Sequence, residues 1–241
     1  MSFIVAIDGP AGSGKGTVTK LIAKKLGLVN VDTGAMYRCV ALKALRNNVE
    51  STEIEKVEKL LENIKIEIKR EGENQIIFLD GEDVSTQIRT TQVDACVAKF
   101  AALACVRSKI TPLQRKMGET QNLIMEGRDI GTAVFPNADV KIYLDASVEE
   151  RANRRYKQNI EKGMQVTYEE ILESIKQRHK LETQREIAPL VQAEDAIYID
   201  SSNMTIEEVV DKIVSIINEK NENCPNFLKK GETKWKNFLK K

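Results

Sequence analysis

The chain is poor in metal-ligating residues: His179 is its single histidine, and Cys39, Cys96, Cys105 and Cys224 show neither a CxxC pair nor a Cys/His spacing. Ligands this scattered do not compose a zinc site, so the cysteines read as reduced, mostly structural thiols. An excess of either charge is also missing, with 37 Lys and Arg against 36 Asp and Glu. Without a global basic field the sequence points to no nucleic acid and no anionic membrane, and any anion must be met by a local cluster. No apolar run approaches the length of a bilayer, and the opening MSFIVAIDG has neither the length nor the basic leader of a signal peptide, so the expected location is cytoplasmic. Asn-Lys-x-Asp and Asp-x-x-Gly sequences are both lacking, which argues against a switch GTPase. What remains is an ordinary globular composition, 41% hydrophobic and 30% charged over 241 residues, enough for one or two domains.

Five short apolar runs, residues 3–8, 28–31, 123–125, 140–144 and 196–199, each lead into a polar or Gly-containing turn and then a helical period. This alternation predicts an α/β fold, a five-stranded parallel sheet with helices on both faces, and ligands at the carboxyl ends of the strands. The rhythm breaks at residues 65–70 and 75–79, where apolar and polar residues alternate around Glu71-Gly72-Glu73-Asn74, with a second turn at Asp80-Gly81. A small antiparallel sheet is expected there. Beyond residue 218 the chain becomes a tail in which Lys229, Lys230, Lys234, Lys236, Lys240 and Lys241 stand among Phe227, Trp235 and Phe238. It reads as a solvated or loosely docked segment with no assigned role.

The most informative stretch is Gly9-Pro10-Ala11-Gly12-Ser13-Gly14-Lys15-Gly16-Thr17, between the first strand and a helix predicted over 15–26. Glycines at these positions let successive backbone N–H groups face anionic oxygens, the helix N-terminus adds partial positive charge, and Lys15 reaches the β and γ phosphates of a nucleoside triphosphate. The usual pattern places Ser or Thr directly after the lysine; here Gly16 stands there and the hydroxyl follows at Thr17.

A transferring phosphoryl group is catalysed mainly by fixed positive charge around it. Arg38 follows the second strand and Arg128 the third. Arg151, Arg154 and Arg155 have the spacing of one helix face, and Arg178 and Arg185, two helical turns apart before Pro189, read as a second row. His179 reads as a surface residue. Tyr37 is expected either near the acceptor or in the core.

In these motifs, IDGPAGSGKGT, VDTGAMYR, IRT at Arg89, VR at Arg107, EGRDIGTAVFPNADVKIYLDAS, RANRRYKQ, REIAPL and DAIYIDSS, the sequence resembles the bacterial cytidylate kinases from about residue 3 to 218. The resemblance implies a nucleoside monophosphate kinase with a P-loop core (1–36, 120–146 and 163–218), a monophosphate-binding region (37–119) carrying the small sheet at about 64–84, and a short lid (147–162). It implies that Gly9 to Thr17 hold ATP and that Thr33, Arg38, Arg128, Arg178 and Arg185 surround the phosphate, ribose or transferring group of CMP or dCMP. Arg107 and Asp129 match positions that recognise cytosine, whose N4 amino group suits a carboxylate and whose O2 and N3 suit a guanidinium. Lys15, Arg128, Arg154, Arg155 and Arg185 are the expected catalytic groups. Mg²⁺ would come with ATP, reached through water from Thr17 or Glu126 rather than by a direct protein ligand. The protein is expected to act as a monomer. Three positions depart from the family pattern: Ala98 replaces a common serine at the cytosine, Glu182 an aspartate at the sugar, and Ala104 a proline.

Overall fold

The apolar runs pair into one sheet. In the computed structural model, which describes residues 2–71, 74–161 and 163–221, β1 (Ile4–Asp8), α1 (Lys15–Leu26) and β2 (Val29–Asp32) are followed by α2 (Thr33–Arg46) and α3 (Ile54–Glu62). Next come the antiparallel strands β3 (Ile66–Glu71), β4 (Asn74–Leu79) and β5 (Glu82–Asp83), a 3-10 turn at Gln87–Arg89, α4 (Thr91–Ala101) and α5 (Ala104–Met117). The chain returns through β6 (Leu123–Gly127) and a π-helical turn at Ile130–Val134 to β7 (Val140–Asp145). It ends its described part with α6 (Val148–Glu161), α7 (Tyr168–Gln184), β8 (Ile197–Asp200) and α8 (Ile206–Asn221). The main sheet has the order β2-β6-β1-β7-β8, and each of its pairings is parallel.

Strands β1, β6 and β7 are buried at almost every position, which is why they read as unbroken apolar runs rather than alternating ones. Helices α1 and α8 cover one face, with Val18, Ile22, Ile213 and Ile217 joining Val5, Ile7 and Ile142 in one core. On the other face Ala6, Val31 and Met125 pack with Ile130 and Val134 of the π-helical turn. A separate core joins α2, α3, α4 and α5 to the small sheet, through Met36, Val40, Val57, Ile77, Val93 and Ile110.

The helix predicted over 15–26 forms over those residues, Lys15–Leu26. The strands differ from the predicted runs mainly at their carboxyl ends, extending into Asp32, Gly127, Asp145 and Asp200. Backbone pairing is indifferent to side-chain polarity, so the ladder continues past the last apolar residue, with Asp32 opposite Glu126 and Asp145 opposite Asp200. A row of carboxylates therefore lines the edge where ligands of such sheets bind. In the small sheet the ladder includes Glu71 and Asn74, which the alternation leaves in the turn, and a third strand after Asp80-Gly81 completes it. Helix α8 continues to Asn221, past residue 218, and the lysine-rich stretch 222–241 lies outside the described residues. Among the described residues no helix is long and apolar enough to cross a membrane.

Ala104 is the first residue of α5, and the preceding Leu103 has φ −75° and ψ 133°. Proline fits the first helical position, and the extended conformation of Leu103 is the one proline demands of its predecessor. Ala104→Pro is expected to add about 0.4–1 kcal/mol by restricting the unfolded chain, raising the melting temperature by roughly 1–4 °C in a calorimetric scan.

Candidate active site

The phosphate loop is shaped by what surrounds it. Gly9 has φ 149°, and a Cβ there would lie 2.0 Å from the Leu144 carbonyl oxygen; at Gly12, φ 83°, a Cβ would lie 2.9 Å from Arg151 of α6. Neither position admits a side chain, so β7 and α6 press the loop into its cradle form. Lys15 lies inside that cradle, its ammonium donating to the Gly9 carbonyl (2.7 Å), the Pro10 carbonyl (2.7 Å) and the Ser13 hydroxyl (3.2 Å). Burial, helped by the nearby Arg128 charge, pushes Lys15 down to about 7.

At Gly16 the space is tight: a Cβ at this residue would stand 3.2 Å from Glu126 Oε1. The loop gives up the usual hydroxyl at this position and the carboxylate of β6 comes close in its stead. Burial and the adjacent Asp32 charge push Glu126 up to about 7. Thr17 is exposed, whereas the Thr19 hydroxyl, donating to the Lys15 carbonyl at 2.9 Å, lies 3.4 Å from Glu126 Oε1. Thr33 is buried and donates to the Glu126 carbonyl at 2.7 Å, which ties the start of α2 to the end of β6.

The arginines converge on three carboxylates. Glu182 of α7 pairs with Arg128 Nε at 2.9 Å and with Arg178 Nε at 2.8 Å. Burial alone would raise its pKa, but the two guanidinium charges outweigh burial and hold it down to about 2. Asp94 of α4 pairs with Arg38, with Arg155 Nη2 at 2.6 Å, and more distantly with Arg178 Nη1 at 4.0 Å. Asp129 pairs with Arg107 and with Arg185 Nη2 at 3.3 Å, the three side chains almost wholly covered, and the Arg107 guanidinium lies 5.7 Å from the centre of the Tyr37 ring. Tyr37 itself is part of the core.

Arg154 stands elsewhere, against the loop and the end of β8: it donates to the Ser13 carbonyl (3.3 Å), the Ser201 hydroxyl (3.0 Å) and the Ser201 carbonyl (2.6 Å). Arg151, which the spacing places in one row with Arg154 and Arg155, turns behind the loop to the carbonyls of Ala146 (3.0 Å) and Ala11 (3.3 Å). Arg185 also departs from its predicted row. Helix α7 ends at Gln184, and Arg185, with ψ 142°, has left the helical path, which lets it reach Asp129. His179 is half-buried, its Nδ1 enclosed, rather than a surface residue.

Two acidic residues central to this arrangement escape the sequence reading. Asp8, the last residue of β1, accepts from the N–H groups of Ile130 (2.8 Å) and Gly131 (2.7 Å) and so fixes the turn that follows Arg128 and Asp129; burial pushes it up to about 6. A carboxylate ending the strand before the phosphate loop was the available signal. Asp94 carried a fainter one, as an acidic residue in an otherwise apolar helical stretch.

Among the described residues no three His, Cys, Asp or Glu side chains converge as a metal cage. Glu126 with Asp32 beside it supplies hard carboxylate oxygens, a donor set that suits Mg²⁺ held through its waters.

Comparison with known proteins gives the family of the chain. A family model described as cytidylate kinase matches residues 5–219. The chain is 49% identical over 218 residues to a cytidylate kinase of Carboxydothermus hydrogenoformans, covering 90% of this chain and 98% of that one. It is 46% identical over 216 residues to the cytidylate kinase of Bacillus subtilis, covering 90% and 96% respectively. A crystal structure of an uncharacterized protein from Eubacterium ventriosum shares the fold at a TM-score of 0.50 and 12% identity, covering 91% of this chain and 99% of that one. The match spans the phosphate loop, the arginines and both sheets, and the chain belongs to the cytidylate kinase family.

Proposed function

We propose that the protein transfers the γ-phosphoryl group of ATP in line to the 5′-phosphate of CMP or dCMP, giving ADP and CDP or dCDP. The observation that carries this reading is the gathering of Arg38, Arg128, Arg155 and Arg178 on Asp94 and Glu182, next to the buried pair Arg107–Asp129. The arginine cluster suits two phosphates and the charge developed between them; the pair offers one donor and one acceptor, as the edge of cytosine requires.

In this reading Gly9 to Thr17 wrap the β and γ phosphates, and Lys15 exchanges its loop carbonyls for phosphate oxygens. Glu126 or Thr17 would hold the waters of a magnesium ion bound with ATP, which would supply neutralising charge to those phosphates. Arg128, Arg155 and Arg185 face the transferring group. Thr33, Arg38, Arg178 and Glu182 hold the acceptor's phosphate and sugar, and Arg107 with Asp129 reads the base. Arg154 links the lid, 147–162, to the loop backbone, so closure of the lid would align the donor while excluding water. The acceptor phosphate is already anionic and needs no general base. Residues 37–119 form the monophosphate-binding region in this division, and the rest of 1–218 the core.

A coupled assay for ADP with CMP, dCMP, UMP and AMP in turn tests the proposal. Turnover should depend on the monophosphate and be fastest with a cytidine nucleotide. ADP formed at the same rate without any acceptor would make the protein an ATPase, and a preference for UMP would give Ala98, in place of serine, the deciding role at the base.

A further inference from the structure

We propose that Asp94 is a positioning residue of the acceptor site: its carboxylate holds Arg38, Arg155 and Arg178 in reach of an incoming phosphate and competes with that phosphate for them. The inference rests on the kinase reading above. It starts from the topology, in which guanidinium groups of three helices, α2, α6 and α7, meet at one side chain of a fourth, α4. Arg38 bonds Oδ1 and Arg155 bonds Oδ2 at 2.6 Å, while Arg178 Nη1 stands 4.0 Å from Oδ1. Two oxygens of one anion, each with its own guanidinium, is the arrangement these arginines would make with a phosphate.

The charge balance points the same way. Arg38, Arg128, Arg155 and Arg178 face Asp94 and Glu182, which leaves a surplus of about two positive charges, the amount a phosphate monoester neutralises near neutral pH. The Asp94 side chain is 21% exposed, so solvent screens the pairings only in part, and the carboxylate would oppose an anion entering beside it. Arg155 gives the contact reach, because it ties the helix of the proposed lid to α4 across the acceptor site. A phosphate that takes Arg38 and Arg178 draws them from Oδ1 while Arg155 is held on Oδ2, so Asp94 sets the affinity for the acceptor.

The alternative is a purely structural ion pair, whose loss would scatter the arginines and weaken acceptor binding. Asp94→Asn separates the two, since the amide keeps the shape and one acceptor oxygen but not the charge. With CMP as the varied substrate, Asp94→Asn should lower KM about tenfold with a smaller change in kcat, as expected for relief of a close like charge. Asp94→Glu, which keeps the charge, should show no such fall. Inorganic phosphate alone, titrated calorimetrically without nucleotide, should bind Asp94→Asn about tenfold tighter than the native protein. An unchanged or raised KM, or phosphate binding no tighter than native, overturns the proposal. Should Asp94→Asn fail to fold, Asp94→Ser is put through the same two measurements with the same criteria. If the native protein does not turn over CMP at all, the kinase reading falls, and the phosphate titration still decides the role of Asp94.

Discussion

Replacing Lys15 with methionine is expected to lower kcat/KM for ATP about 10³-fold, roughly 4 kcal/mol of transition-state stabilisation, while leaving the fold intact. Lys15 is the one ammonium enclosed by the phosphate loop among the described residues, and its partners are three loop oxygens. Methionine has similar length and removes the charge. Stability should not suffer, because the buried ammonium is itself costly. Its pKa falls from 10.5 in the unfolded chain to about 7 in the folded one, so the unfolded state binds the extra proton between these values and the native protein gains stability as pH rises through that window. Near neutral pH the charged form is therefore a burden that the variant sheds, and its melting temperature should stay within about 4 °C of native or rise. The same titration has a kinetic face: kcat/KM for ATP should decline as pH rises through about 7, where free Lys15 loses its proton. A native profile flat across that range, or a Lys15→Met enzyme within tenfold of native, would mean that the loop acts through its backbone N–H groups alone.

Glu182→Gln is expected to cost on the order of 3–5 kcal/mol of folding stability near neutral pH, because it strips a buried carboxylate from Arg128 and Arg178. The pH dependence identifies the cause. Glu182 is held down to about 2 against 4.5 in the unfolded chain, so the stability it contributes is fully present above 4.5 and is lost as pH falls toward 2. A shift of that size corresponds to on the order of 3 kcal/mol. Asp8 works in the opposite sense: its pKa is raised from 3.8 to about 6, so its burial costs stability above that window and the cost is relieved as pH falls through it. Both proteins carry Asp8, so its contribution cancels in the difference between native and variant. Urea unfolding of the two at several pH values should show the gap narrowing from 4.5 downward; a gap that persists unchanged to pH 2 would assign the loss to packing rather than to the charge.

Much of the fold was legible because it is written in local pattern. Central parallel strands are buried on both faces and so read as apolar runs, and the helix after the loop announces itself by its glycines and period. Strand ends were less legible, since the ladder runs on into Asp32, Asp145 and Asp200, residues that no hydrophobic pattern would include. The rows of arginines were read from helical spacing and regrouped by the fold: Arg151 went to the loop backbone, Arg154 to Ser201, and Arg155 to Asp94. A spacing of three or four residues says that side chains leave the helix on the same side, and it does not say what they meet.

The sequence by itself determined the phosphate loop, the alternation of strand and helix, the inserted antiparallel sheet and the supply of arginines. Each depends on residues adjacent in the chain, through backbone conformation or period. Which carboxylate each arginine answers to was settled only by the folded chain. Arg107 meets Asp129 across 22 positions, Arg38 meets Asp94 across 56 and Arg155 meets Asp94 across 61. A guanidinium pairs through space, by distance and burial, and leaves no mark of its partner in the residues beside it.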